Sequence, residues 1–493
     1  MIAGLIQGAG RAGALAIIFA LALVSPAMAA PIDFSLAQVS SSACPFQVDT
    51  RMTCGELSVP ENWSKGAGSR RISVPFIRVA AKHPNPNRVP IAILTGGPGA
   101  TIFMALGLFS NSPLTDGQEA IFIEPRGYGY AKPGLVCESV ADLAACHARW
   151  QAEGYDLSQY VGDAAVTDFE ALRRALKLGP WNIYGISYGG YFALTEVRLF
   201  PEGIRAMVLD SPAPPEANYD QNRVSAMNVF GRVFDACKAE SKCNAAYPDL
   251  RARFIEGIRK LDASPAAFNG KTMSGGDASK LVYHALYMTP SFRYTPKLAD
   301  ALARGDIAGL VKASEEAEGA TTTEFGAPKD FNLKLANSLG VNAQMVCADF
   351  LPFPGNPELA EAYNSPWPQD IIRAIRPEGW DYDKRCADWP TQPSNPVVHA
   401  PVESTIPALV LSGRFDPIVS LRMSEVTALR LHAATIMQDP TAAHIVLAAH
   451  HECVGRAVDR FLADPQAEVD TSCLAAIAPP VWAMPKASRS KQR

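Results

Sequence analysis

The chain of 493 residues carries no C-x-x-C pair and no H-E-x-x-H stretch. Their absence removes the familiar thioredoxin-like and zinc-protease signatures. Charge is also sparse: charged residues make up 19% and the formal net charge is only -4. That leaves no broad positive field for nucleic acid. Beyond the N-terminus no 18-residue apolar run is free of charge, which argues against a multi-span membrane protein. At 48% hydrophobic the composition is unlike that of a disordered chain, and the length can bury a large core. There is no internal repeat and no long low-complexity segment.

The N-terminus is distinctive. Arg11 precedes the apolar run from Ala12 to Val24, Ser25-Pro26 breaks it, and Ala27-Met28-Ala29 follows. The run is short of the roughly 20 residues that a membrane span needs, and the small residues suit signal peptidase. Residues 1–29 read as an export signal, with no stable membrane insertion after its removal. The first cysteine, Cys44, lies too far on to become a lipidated N-terminus. Ten cysteines fit an exported protein, because an oxidising compartment lets disulfides persist. Short loops make sequential pairing the simplest arrangement: Cys44 with Cys54, Cys137 with Cys146, Cys237 with Cys243, Cys347 with Cys386, and Cys453 with Cys473.

Short apolar runs bounded by Gly and Pro suggest a buried, largely parallel sheet. They are Ile91–Leu94, Ala120–Ile123, Trp181–Ile186, Ala206–Leu209 and Ile406–Leu411, with Ala434–Met437 as a last strand. Arg71–Val79 is strand-like, with Pro75 as a point of interruption. Asp163–Leu178 repeats apolar residues at helical spacing (Val166, Phe169, Leu172, Leu176), and Gly179-Pro180 ends it. Tyr191–Phe200 is a second helix. The alternation implies an α/β fold with right-handed crossovers. From about 221 to 395 the pattern changes to helices, clearest at Gln221–Ala239 and Tyr247–Leu261, with no strand ladder. The expected organisation is a first core part at 30–211, a mostly helical cap at 212–400, a second core part at 401–480 and a basic tail at 481–493.

Gly185-Ile186-Ser187-Tyr188-Gly189 lies between a strand and a helix. A serine at that junction sits on a sharp turn that exposes its hydroxyl, so Ser187 is the candidate nucleophile. Attack on a carbonyl builds negative charge on oxygen, which backbone N–H groups must meet. Tyr188, just after the nucleophile, and Gly97 in the Gly96-Gly97-Pro98-Gly99 loop are the candidate donors. Pro98 has no N–H to give. If the triad runs Ser, Asp, His along the chain, Asp416 after the Ile406–Leu411 strand is the acid, with Asp439 as rival. The base is His444, with His450 and His451 as alternatives. Near the last two, Glu452 and Cys453 do not make a metal site.

These segments resemble secreted α/β-hydrolases of the proline iminopeptidase and tripeptidyl-aminopeptidase type, the S33 peptidase group with a TAP-like C-terminal part. The resemblance is carried by LTGGPG at 94–99, EPRGYG at 124–129, EALRRALKLG at 170–179, WNIYGISYGGY at 181–191 and LVLSGRFDPIV at 409–419. It continues in His444 followed by Cys453 and Cys473. It implies an α/β-hydrolase fold with an inserted helical cap, with Ser187, Asp416 and His444 as nucleophile, acid and base and Gly97 and Tyr188 at the oxyanion hole. Two departures stand out. Family members usually have a glycine on each side of the histidine, where this chain has Ala443 and Ile445. The usual D-x-R-G reads Glu124-Pro125-Arg126-Gly127, and Arg126 is read as a structural ion-pair residue.

The resemblance implies a cofactor-free serine aminopeptidase, releasing a single residue, proline included, or a short peptide from free N-termini. A substrate ammonium then needs a carboxylate, because its desolvation is costly. Asp349, in a segment that looks like one re-entering the site from the cap, is the candidate. The same triad cleaves esters, so a secreted carboxylesterase or lipase-like hydrolase is the alternative. A non-catalytic binding protein on the same fold is the remote one. Expected partners are peptide or small ester substrates, with no nucleic acid and no metal, and the expected location is periplasmic or extracellular.

Overall fold

The computed structural model describes residues 31–218, 222–359, 367–375 and 382–485. The expected export signal and the residues 486–493 lie outside them. Nine strands form one sheet: β1 (Gln38–Ser41), β2 (Met52–Pro60), β3 (Arg71–Val79), β4 (Ile91–Leu94), β5 (Ala120–Ile123), β6 (Trp181–Ile186), β7 (Ile204–Asp210), β10 (Ala408–Gly413) and β11 (Ala434–Asp439). Their spatial order is β1-β2-β3-β5-β4-β6-β7-β10-β11. From β5 to β11 every pairing is parallel, and β1, β2 and β3 add an antiparallel edge.

The sheet is apolar on both faces because helices cover both, and side-chain alternation divides each strand between them. On β4, Ala92 and Leu94 pack with the helices Gly162–Ala175 and Tyr188–Leu199. Ile91 and Ile93 pack on the other side, against Phe103, Phe109 and the helix Glu452–Ala463. Fully burying one such side chain is worth about 1.5–3 kcal/mol. Between β7 and β10 the chain leaves the sheet and builds a helical cap with its own apolar core around Phe230, Phe254, Leu298 and Leu310. Among the described residues no helix is long and apolar enough to cross a membrane.

Three local expectations change. Pro75 does not interrupt β3: it lies opposite Glu56 of β2, and its carbonyl accepts from Glu124 N–H at 3.1 Å, so only a donor is missing. The helix after Asp163 ends at Ala175, where Lys177 rather than Gly179 takes the left-handed conformation (φ 55). The cap does contain a strand pair, the hairpin β8 (Ala266–Phe268) and β9 (Lys271–Met273), turned by Asn269-Gly270. Both turn residues have positive φ, the demand that Asn-Gly meets in tight hairpins. Disulfides join Cys44 to Cys54, Cys137 to Cys146, Cys237 to Cys243, Cys347 to Cys386 and Cys453 to Cys473.

Candidate active site

Parallel strands deliver their carboxyl ends to one edge of the sheet, and every singled-out side chain near the nucleophile comes from that edge. β6 is buried throughout and leads into Ser187 at φ 55, ψ -115, directly before the helix Tyr188–Leu199. A non-glycine residue held there costs of order 1–3 kcal/mol, and persists only where the surroundings over-determine it. Here the Ser187 N–H donates to Asp210 O at 2.9 Å, and the Ser187 carbonyl accepts from Gly190 and Ala213, both also at 2.9 Å. A Cβ on Gly189 would lie 2.3 Å from the Leu94 carbonyl, so only glycine lets the helix start this close to β4.

The glycine loop after β4 faces this elbow. Gly97 has φ 119 and borders the same small cavity, about 50 Å³, as Ser187 and Tyr188. The loop is pinned from two sides. Thr95 Oγ1 donates to Ala100 O at 2.6 Å, and Asn342 Nδ2 of the cap donates to Pro98 O at 2.9 Å. Arg385 Nη1 in turn donates to Asn342 Oδ1 at 3.3 Å. Tyr188 opens its helix, so its N–H lies at the helix N-terminus. Such a terminus favours negative charge.

Asp416 and His444 are brought together. His444 Nδ1 lies 2.8 Å from Asp416 Oδ2, and Asp416 Oδ1 accepts from Ile418 and Val419 N–H at 2.8 and 2.9 Å. Both side chains are buried. A proton on Nδ1 leaves Nε2 as the basic nitrogen. Among the described residues Nε2 is buried without a hydrogen-bond partner, so no hydrogen bond joins it to Ser187 Oγ. The cap grips the same loop: His444 N–H donates to Tyr287 O at 3.0 Å, Ala443 N–H to Thr289 Oγ1 at 2.9 Å, and the Tyr287 ring stands edge-on to the imidazole.

The rival residues form a separate pair. Asp439 binds His451 Nδ1 and accepts from Thr441 and Ala442 N–H. His451 borders a cavity of about 720 Å³ with Arg293, Tyr294 and Val481, a different cavity from the one beside Ser187. His450 is exposed, in a left-handed conformation (φ 54). Arg126 makes two 2.7 Å bonds to Asp168, and neither side chain is exposed. Glu124 is buried too. It accepts from Thr101 Oγ1 and from the N–H groups of Ile102 and Tyr130, and burial pushes its carboxyl up to about 7.

Asp349 is placed elsewhere than expected. It is 1% exposed and does not border the cavity at Ser187, where its neighbour Phe350 does. Its carboxylate accepts from Gly162 N–H at 2.9 Å, from Ser394 Oγ, and from Tyr188 OH at 3.5 Å. Burial pushes it up to about 7. In this geometry the carboxylate braces the residues behind Tyr188 and does not present itself to a substrate amine. The sequence reading overlooked Asp210, Ser211, Asn342 and Tyr287. Asp210-Ser211 carried one faint signal, an acid ending a strand beside the nucleophile strand. The two cap residues carried none, because their partners lie far off in sequence.

Residues 89–242 match the family described as alpha/beta hydrolase fold, and residues 377–473 match the family described as TAP-like protein. The chain is an α/β-hydrolase-fold protein. Its C-terminal part is TAP-like, and its curated relatives are distant. It is 22% identical to the serine protease Hip1 of Mycobacterium tuberculosis, over 89% of this chain and 90% of that one. It is 23% identical to the tripeptidyl aminopeptidase of Streptomyces lividans, over 85% and 83%. Among solved structures it is similar to the proline iminopeptidase of Mycobacterium smegmatis, at 14% identity and a TM-score of 0.39, covering 83% of this chain and 98% of that one.

Proposed function

We propose that this α/β-hydrolase is an exported serine hydrolase working by covalent acyl transfer, with a cap running from 212 to 400. The supporting observation is the buried Asp416–His444 pair at 2.8 Å, on the same sheet edge as a serine in a strained strand-to-helix turn. Ser187 Oγ attacks the carbonyl carbon as His444 Nε2 takes its proton. The oxyanion is met by the N–H groups of Gly97 and Tyr188. His444 then gives the proton to the departing amine or alcohol, and water, activated by the same nitrogen, releases the acyl group. Asp416 fixes the tautomer and stabilises the imidazolium. The five disulfides support an oxidising compartment.

For the substrate we propose free peptide N-termini, cleaved to release one residue or a short peptide. The named activity of one distant relative, a tripeptidyl aminopeptidase, supports this reading, and that of a second, a serine protease, is compatible with it. One observation favours a carboxylesterase instead. The cavity at Ser187 is small and bordered by Ala213, Ala217, Ile418, Val419 and Met423, and among the described residues no carboxylate lines it. Purified oxidised protein should be assayed on prolyl, alanyl and tripeptidyl chromogenic amides, each with a free or blocked N-terminus, and on short and medium acyl esters. Ser187→Ala is the control. Turnover of free-amine amides that blocking abolishes establishes the aminopeptidase. Ester turnover alone sinks it.

A further inference from the structure

The turn after His444 is held in a conformation that its own sequence resists. Ile445 has φ 63 and ψ 88, in the left-handed region that β-branched residues avoid and glycine enters freely. Its segment is fastened to the end of β7. Ile445 N–H donates to Ser211 Oγ at 3.2 Å, Val446 N–H to Asp210 Oδ1 at 2.7 Å, and Leu447 N–H to Asp210 Oδ2 at 3.1 Å. Ser211 Oγ donates onward to Asp210 Oδ1 at 3.3 Å, and Tyr184 OH donates to Oδ2 at 2.7 Å.

Asp210 is fully buried, and four donors converge on it. Two are amides, which can only donate, and a lone pair of Ser211 is already engaged by Ile445. The set suits an ionised carboxylate. The Asp210 carbonyl also accepts from Ser187 N–H, so one residue bonds both the nucleophile's backbone and the histidine's loop. Burial raises the Asp210 pKa, the bonds from Tyr184, Leu447 and Val446 oppose that rise, and Asp210 is close enough to His444 for their charges to interact. The other titratable groups around the pair are Asp416 on His444 Nδ1, Tyr184 on Asp210, and Tyr287 of the cap against the imidazole.

We propose that Asp210 is a positioning residue: with Ser211 it holds the left-handed turn at Ile445, aims the His444 ring, and stabilises the imidazolium through its buried charge. This rests on the reading of Ser187, Asp416 and His444 as the catalytic triad. It also accounts for how this chain does without a glycine after the histidine.

The test compares Asp210→Asn, Ile445→Gly and the double variant, each checked for folding by near-UV circular dichroism. Asp210→Asn should lower kcat about tenfold to a hundredfold, the scale of a small misplacement, with KM within about twofold. The acid limb of the kcat profile should move to lower pH, because loss of a nearby anion makes the imidazolium easier to deprotonate. The loss should be smaller in the Ile445→Gly background, where the turn needs less holding. NMR of histidine-labelled protein should show the His444 titration moving the same way without substrate. An unchanged kcat and an unchanged titration in folded Asp210→Asn would overturn the proposal. An equal loss in both backgrounds would overturn its turn-holding half. If Asp210→Asn does not fold, Ser211→Ala, which removes the acceptor for Ile445 and one of the four donors to Asp210 but leaves the carboxylate and its bonds to Val446 and Leu447, should lower kcat less but in the same direction. No change there counts against it. A wild-type enzyme silent on every substrate would sink the triad reading and with it the catalytic half of this proposal, while an intact NMR shift would still support the coupling of Asp210 to His444.

Discussion

His444 and Asp416 are bonded at 2.8 Å, while seven residues after His444 a second histidine, His451, is bonded to Asp439. The two pairs share a loop, but His451 borders a cavity that Ser187 does not, so substitution separates them. Asp416→Asn should cost kcat about 10⁴-fold, because the imidazole loses the acceptor that sets its tautomer. Asp439→Asn should retain most of the activity and lose stability instead. Labelling of Ser187 by a serine-directed phosphonate gives the same comparison without a chosen substrate.

Gly97→Ala should reduce turnover about 10²- to 10³-fold if the loop supplies an oxyanion donor. The added Cβ would sit 2.7 Å from Gly99 N at a φ of 119, so the loop must move. Binding of a ground-state product should change far less. Equal weakening of the two would remove Gly97 from the oxyanion hole.

The Arg126–Asp168 pair is wholly buried, and Trp63 Nε1 also donates to Asp168. Asp168→Ala leaves an uncompensated guanidinium in the interior and should destabilise the protein by about 3–5 kcal/mol. Denaturant titration measures this. Activity per folded molecule should hold, since neither residue borders the Ser187 cavity.

Asp349 makes stability depend on pH. Its folded pKa, raised by burial to about 7, exceeds the ordinary 3.8. Between those values the folded state holds a proton that the unfolded chain has released. Its contribution is therefore fully present below about pH 4 and is lost as pH rises through 7. Asp349→Asn keeps an acceptor for Gly162 and can donate to Ser394, but it does not titrate. Relative to wild type its melting temperature should be higher at pH 8 than at pH 5. A constant difference across that range would show that the carboxyl is not held neutral.

The Cys347–Cys386 bond closes a loop with a sequence separation of 39 residues. Chain entropy gives such a crosslink about 4 kcal/mol at most. It also anchors the helix bearing Arg385, which bonds Asn342 and, through it, the carbonyl of Pro98. Cys347→Ser with Cys386→Ser should lower the melting temperature and also kcat, with proteolysis appearing first in the cap. A drop in stability with kcat intact would show that the glycine loop needs no support from that helix.

Much of the fold was legible because buried parallel strands leave a plain signature. Ile91–Leu94, Ala120–Ile123 and Trp181–Ile186 are short apolar runs between breakers, and each is a strand. The β8–β9 hairpin was missed although Asn269-Gly270 announces it, because three-residue strands carry too little pattern. Asp349 was misplaced for a different reason. Its sequence neighbourhood resembles a segment that re-enters a site, but whether a side chain there meets the cleft or the core depends on the turn of the helical segment Val346–Phe350. No spacing rule reports that rotation.

The sequence by itself determined the strand–turn–helix around Ser187, the sheet class and the set of acids and histidines from which a triad could be drawn. These are local properties, set by periodicity, glycine placement and chain order. Only the tertiary structure decided that His444 pairs with Asp416 and His451 with Asp439, that Asp349 turns inward, and that Asp210 holds the turn at Ile445. Each of those rests on contacts between residues distant in the chain. Such contacts form where sheet register, cap packing and the cost of burying unpaired polar groups favour one arrangement that satisfies most buried donors.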